Sequence, residues 1–211
     1  MKRHVVHSGP FRYLIRTLQN TKAPVGVRRQ AIFWLTESRK KRAVPAFLRL
    51  LKSSNPADRK LRIDLIHGLH WFEDRRAVPL AVEILGNRRE SKVVRVCAAY
   101  LFHRFADSRA TPVLIQVLMN PREPSGLRTY CAEALGNCRR GKRAVVKALI
   151  TCLTDADPYV RTFSALALAF CGNQSAAEPL KKLRSDKTPV PPYGKVADDA
   201  KYALTSIQEI G

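Results

Sequence analysis

"VRTFSALAL", residues 160–168, sets the apolar Val160 before Arg161 and places small or apolar residues four and eight positions after the valine. That spacing puts the side chains on one face of an α-helix, whereas a half-buried strand would need alternation. The pattern recurs towards the N-terminus as "LRTYCAEAL" from Leu127, "VRVCAAYLF" from Val94, "LRIDLIHGL" from Leu61 and "VRRQAIFWL" from Val27, at intervals of 33, 33, 33 and 34 residues. Self-similarity at this period marks an array of helical repeats, in which each unit buries its apolar face against the next.

A second series interleaves with the first. It runs "GPFRYLIRTL" from Gly9, "RAVPAFLRLL" from Arg42, "RAVPLAVEIL" from Arg76, "RATPVLIQVL" from Arg109, "RAVVKALITCL" from Arg143 and "SAAEPLKKL" from Ser175. Proline stands near the start of most of these segments, where the first turn of a helix tolerates it. Six helix pairs follow. The first helices are expected over 10–20, 43–53, 76–86, 109–119, 142–153 and 175–184, their partners over 24–38, 58–72, 91–105, 125–138, 157–171 and 196–208. The expected fold is an all-α, right-handed α-solenoid forming one domain over 1–211. Its repeats fall at about 9–38, 42–72, 75–105, 108–138, 142–171 and 175–208, the last interrupted by a linker at 185–194.

The stretch "LTDADPYVRTFSALALAFCGNQSAAEPLKKL", 153–183, resembles a HEAT repeat of the phycobilisome-lyase type, with its aspartate turn, Val-Arg pair and trailing glycine. The resemblance covers nearly the whole chain. It implies a binding scaffold in which the Val-Arg helix lines the concave surface and its predecessor lies outside.

Lys and Arg number 38 against 17 Asp and Glu, a formal net charge of +21 with a pI near 10.4. Such an excess favours a polyanionic partner, nucleic acid or an acidic protein, and says nothing of fold. Hydrophobic residues at 45% are too many for a disordered chain. No window approaches the ~20 apolar residues of a membrane span, and the N-terminus has neither the apolar stretch nor the cleavage site of a signal peptide. Cys97, Cys131, Cys138, Cys152 and Cys171 form no CxxC pair, which fits small core residues in a reducing, cytoplasmic setting. No cofactor, metal or small-molecule substrate is implied.

Candidate binding residues fall into two sets. On the expected concave face, Arg28, Arg62, Arg95, Arg128 and Arg161 recur at one register. In HEAT-like arrays this arginine commonly pairs with an aspartate in the turn just before its own helix. Only Asp58, Asp155 and Asp157 are good turn aspartates here, with Glu90 and Glu123 as substitutes. The arginines therefore read either as an internal ion-pair ladder or, for Arg28 above all, as unpartnered groups open to phosphate or carboxylate. Positions two, three, six, nine and ten past the first apolar residue add Arg29, Phe33, Asp64, His67, His70, Trp71, Tyr100, His103, Arg104 and Tyr130. Aromatic and imidazole groups beside arginines suit base stacking or protein hot spots; the alternative is packing between helices. The apolar fifth set, ending in Phe170, is expected under the last helix.

The second set is a basic edge in the turns before the outer helices: Arg39, Lys40, Lys41, Arg42, Arg75, Arg76, Arg109, Arg139, Arg140, Lys142 and Arg143. Its ordinary alternative is a series of solvated helix ends. Enzymatic readings rest on little. No HExxH or paired-carboxylate motif is present. Asp64 near Trp71 and Tyr100 is only a superficial parallel to the HEAT-like alkylpurine DNA glycosylases, and phycobilin-lyase chemistry maps to no residue. The leading expectation is a scaffold engaging nucleic acid backbone, with an acidic protein held in the groove as the alternative.

Overall fold

The computed structural model describes residues 10–105, 107–137 and 143–210, the side chains of Arg104 and Ile210 excepted. All regular structure among them is helical apart from one isolated bridge between Pro189 and Lys195. The helices are α1 (Phe11–Gln19), α2 (Val25–Glu37), α3 (Val44–Leu51), α4 (Pro56–Arg59), α5 (Arg62–Phe72), α6 (Val78–Gly86), α7 (Lys92–Phe105), α8 (Thr111–Leu118), α9 (Ser125–Gly136), α10 (Arg143–Cys152), α11 (Pro158–Cys171), α12 (Ala177–Leu183) and α13 (Val196–Ile210). Short 3₁₀ turns at Lys41–Ala43, Arg75–Ala77 and Gln174–Ala176 lead into α3, α6 and α12. None of these helices is long and apolar enough to cross a membrane.

One expected helix is divided. Over 58–72 the chain forms the single turn α4 and then α5, with Leu61 between them. Asn55 caps α4 by accepting from the Ala57 N–H, Pro56 takes the first helical position, and Leu61 N–H closes the turn tightly onto the Asp58 carbonyl.

The described residues pack as two compact units, divided within α6 between Ala81 and Val82. In the first unit α2 packs on α1 and α5, and α3 on α5. Its core holds Leu18, Leu35, Phe47, Leu65, Leu69 and Phe72, with Phe47 meeting Phe72 edge to face at 5.4 Å between ring centres. In the second unit α9 packs between α7 and α11, and α13 closes on α11. Helices α8, α10 and α12 cover α9, α11 and α13 respectively. Cys97, Cys131, Cys152 and Cys171 are buried, and burial raises the Cys97 and Cys131 thiols and pushes Cys152 up to about 11. Cys138 lies outside the described residues.

Arginines one residue past the first apolar position tie the repeats together. Arg28 is fully buried. Its Nε donates to the Leu18 carbonyl at 2.8 Å and its Nη2 to the Asp58 carboxylate. Arg95 does the same with the Leu85 carbonyl (2.9 Å) and both oxygens of Glu123 (2.7 and 3.0 Å). Arg128 repeats it with Leu118 (2.7 Å) and Asp155. Arg161 reaches Asp186 at 2.8 Å and the carbonyls of Asp155 and Ala156. Each of the first three acceptor carbonyls lies in the last turn of the helix before the arginine's own, where carbonyls are left without helical partners. Each acid stands in the turn before the next repeat's second helix. Arg28 is therefore not the unpartnered cation its neighbourhood suggested: its acid lies 30 residues ahead instead of in the preceding turn.

A guanidinium held this way is costly to orphan. Asp58→Ala should destabilise the fold by about 3–5 kcal/mol, the range for breaking a buried pair from one side, while Arg28→Met with Asp58→Leu should cost much less; urea unfolding midpoints test both. The hydrogen bond from Arg95 holds the Glu123 carboxyl below its ordinary range. Desolvation pushes Asp155 up, but the hydrogen bonds from Arg128 and from the Asp157 N–H, with the neighbouring positive charges, bring it down. Because both folded values lie below the unfolded ones, their stabilisation is complete above about pH 5 and fades as pH falls through the folded values. Melting temperature should drop on acidification below about pH 4, and the drop should shrink in Glu123→Gln measured against its own neutral-pH value.

Candidate functional site

At about 100° per residue, positions six and ten of the second helices lie about 40° apart, while position nine is rotated some 60–100° from them, towards a neighbouring helix. Exposure follows that geometry. At position six, Phe33, His67 and Tyr100 are open and Glu133 and Leu166 half-buried; at position ten, Glu37, Trp71 and Phe170 are open and Asn137 half-buried. Position nine is mostly packed: Thr36, His70, Gly136 and Ala169 are buried, and His103 is half-buried.

The structure thus divides the expected concave set. Arg28, Arg95 and Arg128 are interior and hold the repeats together, so they do not face a ligand. Arg62 is half-buried and donates to the Leu51 carbonyl at 2.7 Å. His70 is interior, edge-on to Trp71, because position nine turns inward. Large aromatic rings remain open: Phe33 at 55%, Trp71 at 47%, Tyr100 at 40% and Tyr130 at 36%. The Arg104 side chain lies outside the described residues.

In the first unit these residues line a groove of about 220 Å³ formed by Arg29, Phe33, Glu37, Asp64, His67 and Trp71 around Gly68. Arg29 bridges α2 and α5, with Nε on Asp64 at 3.0 Å and Nη2 on the Lys60 carbonyl at 3.3 Å. Asp64 is thereby a partnered carboxylate. The Arg39 guanidinium covers one face of Trp71, 5.1 Å from the ring centre.

The second unit holds a groove of about 340 Å³ lined by His103, Glu133, Asn137, Phe163, Leu166 and Phe170. Asn137 Nδ2 donates to the His103 carbonyl at 3.0 Å and lies 3.0 Å from His103 Nδ1, which is 3.5 Å from Glu133. Tyr100 lies parallel to His103 at 6.1 Å and meets Tyr130 edge-on at 6.0 Å. Phe170 was expected beneath the last helix, yet it is 63% exposed. Helix α13 packs on another side of α11, and Phe163 instead meets Tyr193 of the linker at 5.3 Å. Phe163, Leu166 and Phe170 line this groove, and their shared register with Tyr130, Tyr100 and Trp71 is the signal that finds them.

The basic turns also change. Arg39, Lys40, Lys41, Arg42, Arg75, Arg76, Arg109 and Arg143 are exposed, while Arg139, Arg140 and Lys142 lie outside the described residues. Two of the exposed cations are neutralised locally. Asp74 accepts from Arg76 Nε and Nη2 at 2.9 and 2.7 Å, and Asp107 from Arg109 at 3.0 and 2.8 Å. The Arg76 hydrogen bond holds the Asp74 carboxyl below its usual range. Among the described residues no three His, Cys, Asp or Glu side chains are placed to hold a metal ion.

Residues 13–101 and 111–191 match the HEAT-repeat family, and the chain belongs to it. Solved structures of similar fold include an engineered protein at 21% identity, covering 95% of this chain and 97% of its own with a TM-score of 0.66. A computationally designed armadillo repeat protein for modular peptide recognition aligns at 17% identity over 93% of this chain and 91% of its own, TM-score 0.62. The CpcE–CpcF complex of phycocyanin lyase from a Nostoc species aligns at 18% identity over 98% of this chain and 99% of its own, TM-score 0.46. No curated protein sequence matches the chain.

Glycines fix how closely the grooved helices approach. A Cβ on Gly68 would meet Phe47 at 2.5 Å and Thr36 Oγ1 at 2.7 Å, and one on Gly136 would meet the Ala167 backbone at 2.9 Å. Gly68→Ala and Gly136→Ala should each cost about 1–3 kcal/mol from overpacking. Gly26→Ala, in α2 with open space around it, should instead stabilise by about 0.4–1 kcal/mol. Chemical denaturation of the three variants checks the contrast.

Proposed function

We propose that this HEAT-repeat chain is a binding scaffold whose second-helix faces dock an acidic polypeptide through exposed aromatic anchors. One observation carries the reading. Positions three, six and ten present Phe33 and Trp71 in the first unit and Tyr100, Tyr130 and Phe170 in the second, all outside the core. Tyrosine and tryptophan on a rigid backbone are the residue types that dominate protein-binding energy. The helices beneath them are locked by the buried arginine pairs, so little ordering cost falls on the scaffold when a partner binds.

The second groove combines an apolar wall, Phe163, Leu166 and Phe170, with the polar set His103, Glu133 and Asn137. That pairing suits one apolar side chain of a partner together with its backbone polar groups. Net positive charge on the chain favours an acidic partner through steering. A designed armadillo protein of similar fold is described as made for modular peptide recognition, which agrees with the reading without carrying it.

Peptide-display selection on the immobilised chain should enrich acidic sequences bearing an apolar anchor. Tyr100→Ala and Phe170→Ala should each weaken a selected peptide by about tenfold or more, the effect of losing a hot spot of about 1.4 kcal/mol or above, with unchanged melting temperature. Selection without an acidic bias, or peptides indifferent to both variants, would sink the proposal.

A further inference from the structure

Among the described residues, four turns enter the first helix of a repeat through matching tetrapeptides: Lys40-Lys41-Arg42-Ala43, Asp74-Arg75-Arg76-Ala77, Asp107-Ser108-Arg109-Ala110 and Asn173-Gln174-Ser175-Ala176. In three of them the leading side chain accepts a hydrogen bond from the backbone N–H two residues on, each at 3.0 Å: Arg76 to Asp74, Arg109 to Asp107 and Ser175 to Asn173. In two, the same aspartate chelates the arginine that follows. Lys40 does neither, since an ammonium carries donors only, and it makes no side-chain cap. This turn has given up a stabilising cap that its counterparts keep.

The consequence is charge left unneutralised. Arg42 occupies the register of Arg76 and Arg109 but rests on the Phe11 ring, 3.9 Å from its centre. Arg39, at a positive φ of 52°, rests on Trp71. Lys41 donates to the Glu73 carbonyl at 3.4 Å. Among the described residues no carboxylate stands within ion-pair distance of Arg39, Lys40, Lys41 or Arg42; the nearby Asp74 is already taken by Arg76. Ring contacts fix the two guanidinium groups in place without cancelling their charge. Residues 1–81 carry 18 Lys and Arg against 5 Asp and Glu, so little else offsets the patch.

We propose that the turn at 39–42 is a docking surface for the phosphate backbone of nucleic acid, indifferent to base sequence. Four neighbouring side chains there offer hydrogen-bond donors and no acceptor, which matches phosphate oxygens, acceptors only. A protein surface presents both kinds of group and would leave some unmatched. Nothing in the turn is shaped to enter a groove and read base edges. The surface shares only Trp71, which supports Arg39, with the aromatic faces, and the proposal does not rest on the peptide reading.

Lys40→Asp tests it, because the new carboxylate can cap the turn and chelate Arg42 as Asp74 does Arg76. The probe is a short fluorescent duplex DNA of mixed sequence, followed by anisotropy across a potassium chloride series. Wild type should bind with a steep salt dependence. The variant should bind about tenfold or more weakly near 0.1 M salt and show a log–log slope shallower by about two, since each neutralised phosphate contributes about 0.9 to the slope. Its melting temperature should not fall. Lys40→Gln, which removes one charge without adding a chelate, should show a smaller loss of the same kind. Phe33→Ala should leave the affinity for DNA unchanged. Unchanged affinity and slope in Lys40→Asp overturn the proposal. So does tighter binding of poly-glutamate than of DNA with the same loss in the variant, which would assign the turn to an acidic protein.

Discussion

A buried guanidinium that must satisfy two repeats at once is the constraint from which the rest of the structure follows. Arg28, Arg95 and Arg128 each spend Nε on a carbonyl in the last turn of one helix; Arg28 gives Nη2, and Arg95 and Arg128 give both terminal nitrogens, to an acid before the next repeat's second helix. A carbonyl at a helix end and a carboxylate in a turn would each be costly to bury alone. Joined through one arginine, the carbonyl and the carboxylate each find a donor inside an apolar stack. Neutral, well-packed replacements could match its stability, but the pairs also fix which turn faces which helix.

That fixed register decides what each second helix shows. With the first apolar residue and its companions committed to the core, position nine is carried into a neighbouring helix, and positions six and ten are left open. His70 and Trp71 are adjacent in sequence, yet one is interior and the other exposed for this reason. The same logic brings Phe163, Leu166 and Phe170 into a groove with His103 and Asn137. Gly68 and Gly136 set how closely their helices pack on the neighbouring ones, since any side chain there would collide with Phe47 or the Ala167 backbone.

Charge is distributed by a different rule. Where an aspartate leads the turn, as in Asp74 and Asp107, the following arginine is absorbed into the cap and contributes little to the field outside. Where Lys40 leads, the cations stay available. A chain can therefore carry +21 while the arginines chelated in two of its basic turns add little to the field. Counting lysines and arginines along the sequence overstates the basic edge because it does not register which of them have a chelating neighbour.

The period of 33–34 residues, the helix class and the pairing of helices were legible in the sequence, because a 3.6-residue rhythm and Pro-marked starts are local properties of the chain. The presence of aromatics at a common register was legible too. The partner of Arg28 was not: it lies 30 residues away, and only stacking brings Asp58 against it. Nor could the sequence tell inward His70 from outward Trp71, or show that Phe170 escapes the last helix. Those outcomes depend on which side of each helix a neighbour covers, and that is settled by packing between segments whose separation along the chain carries no such information.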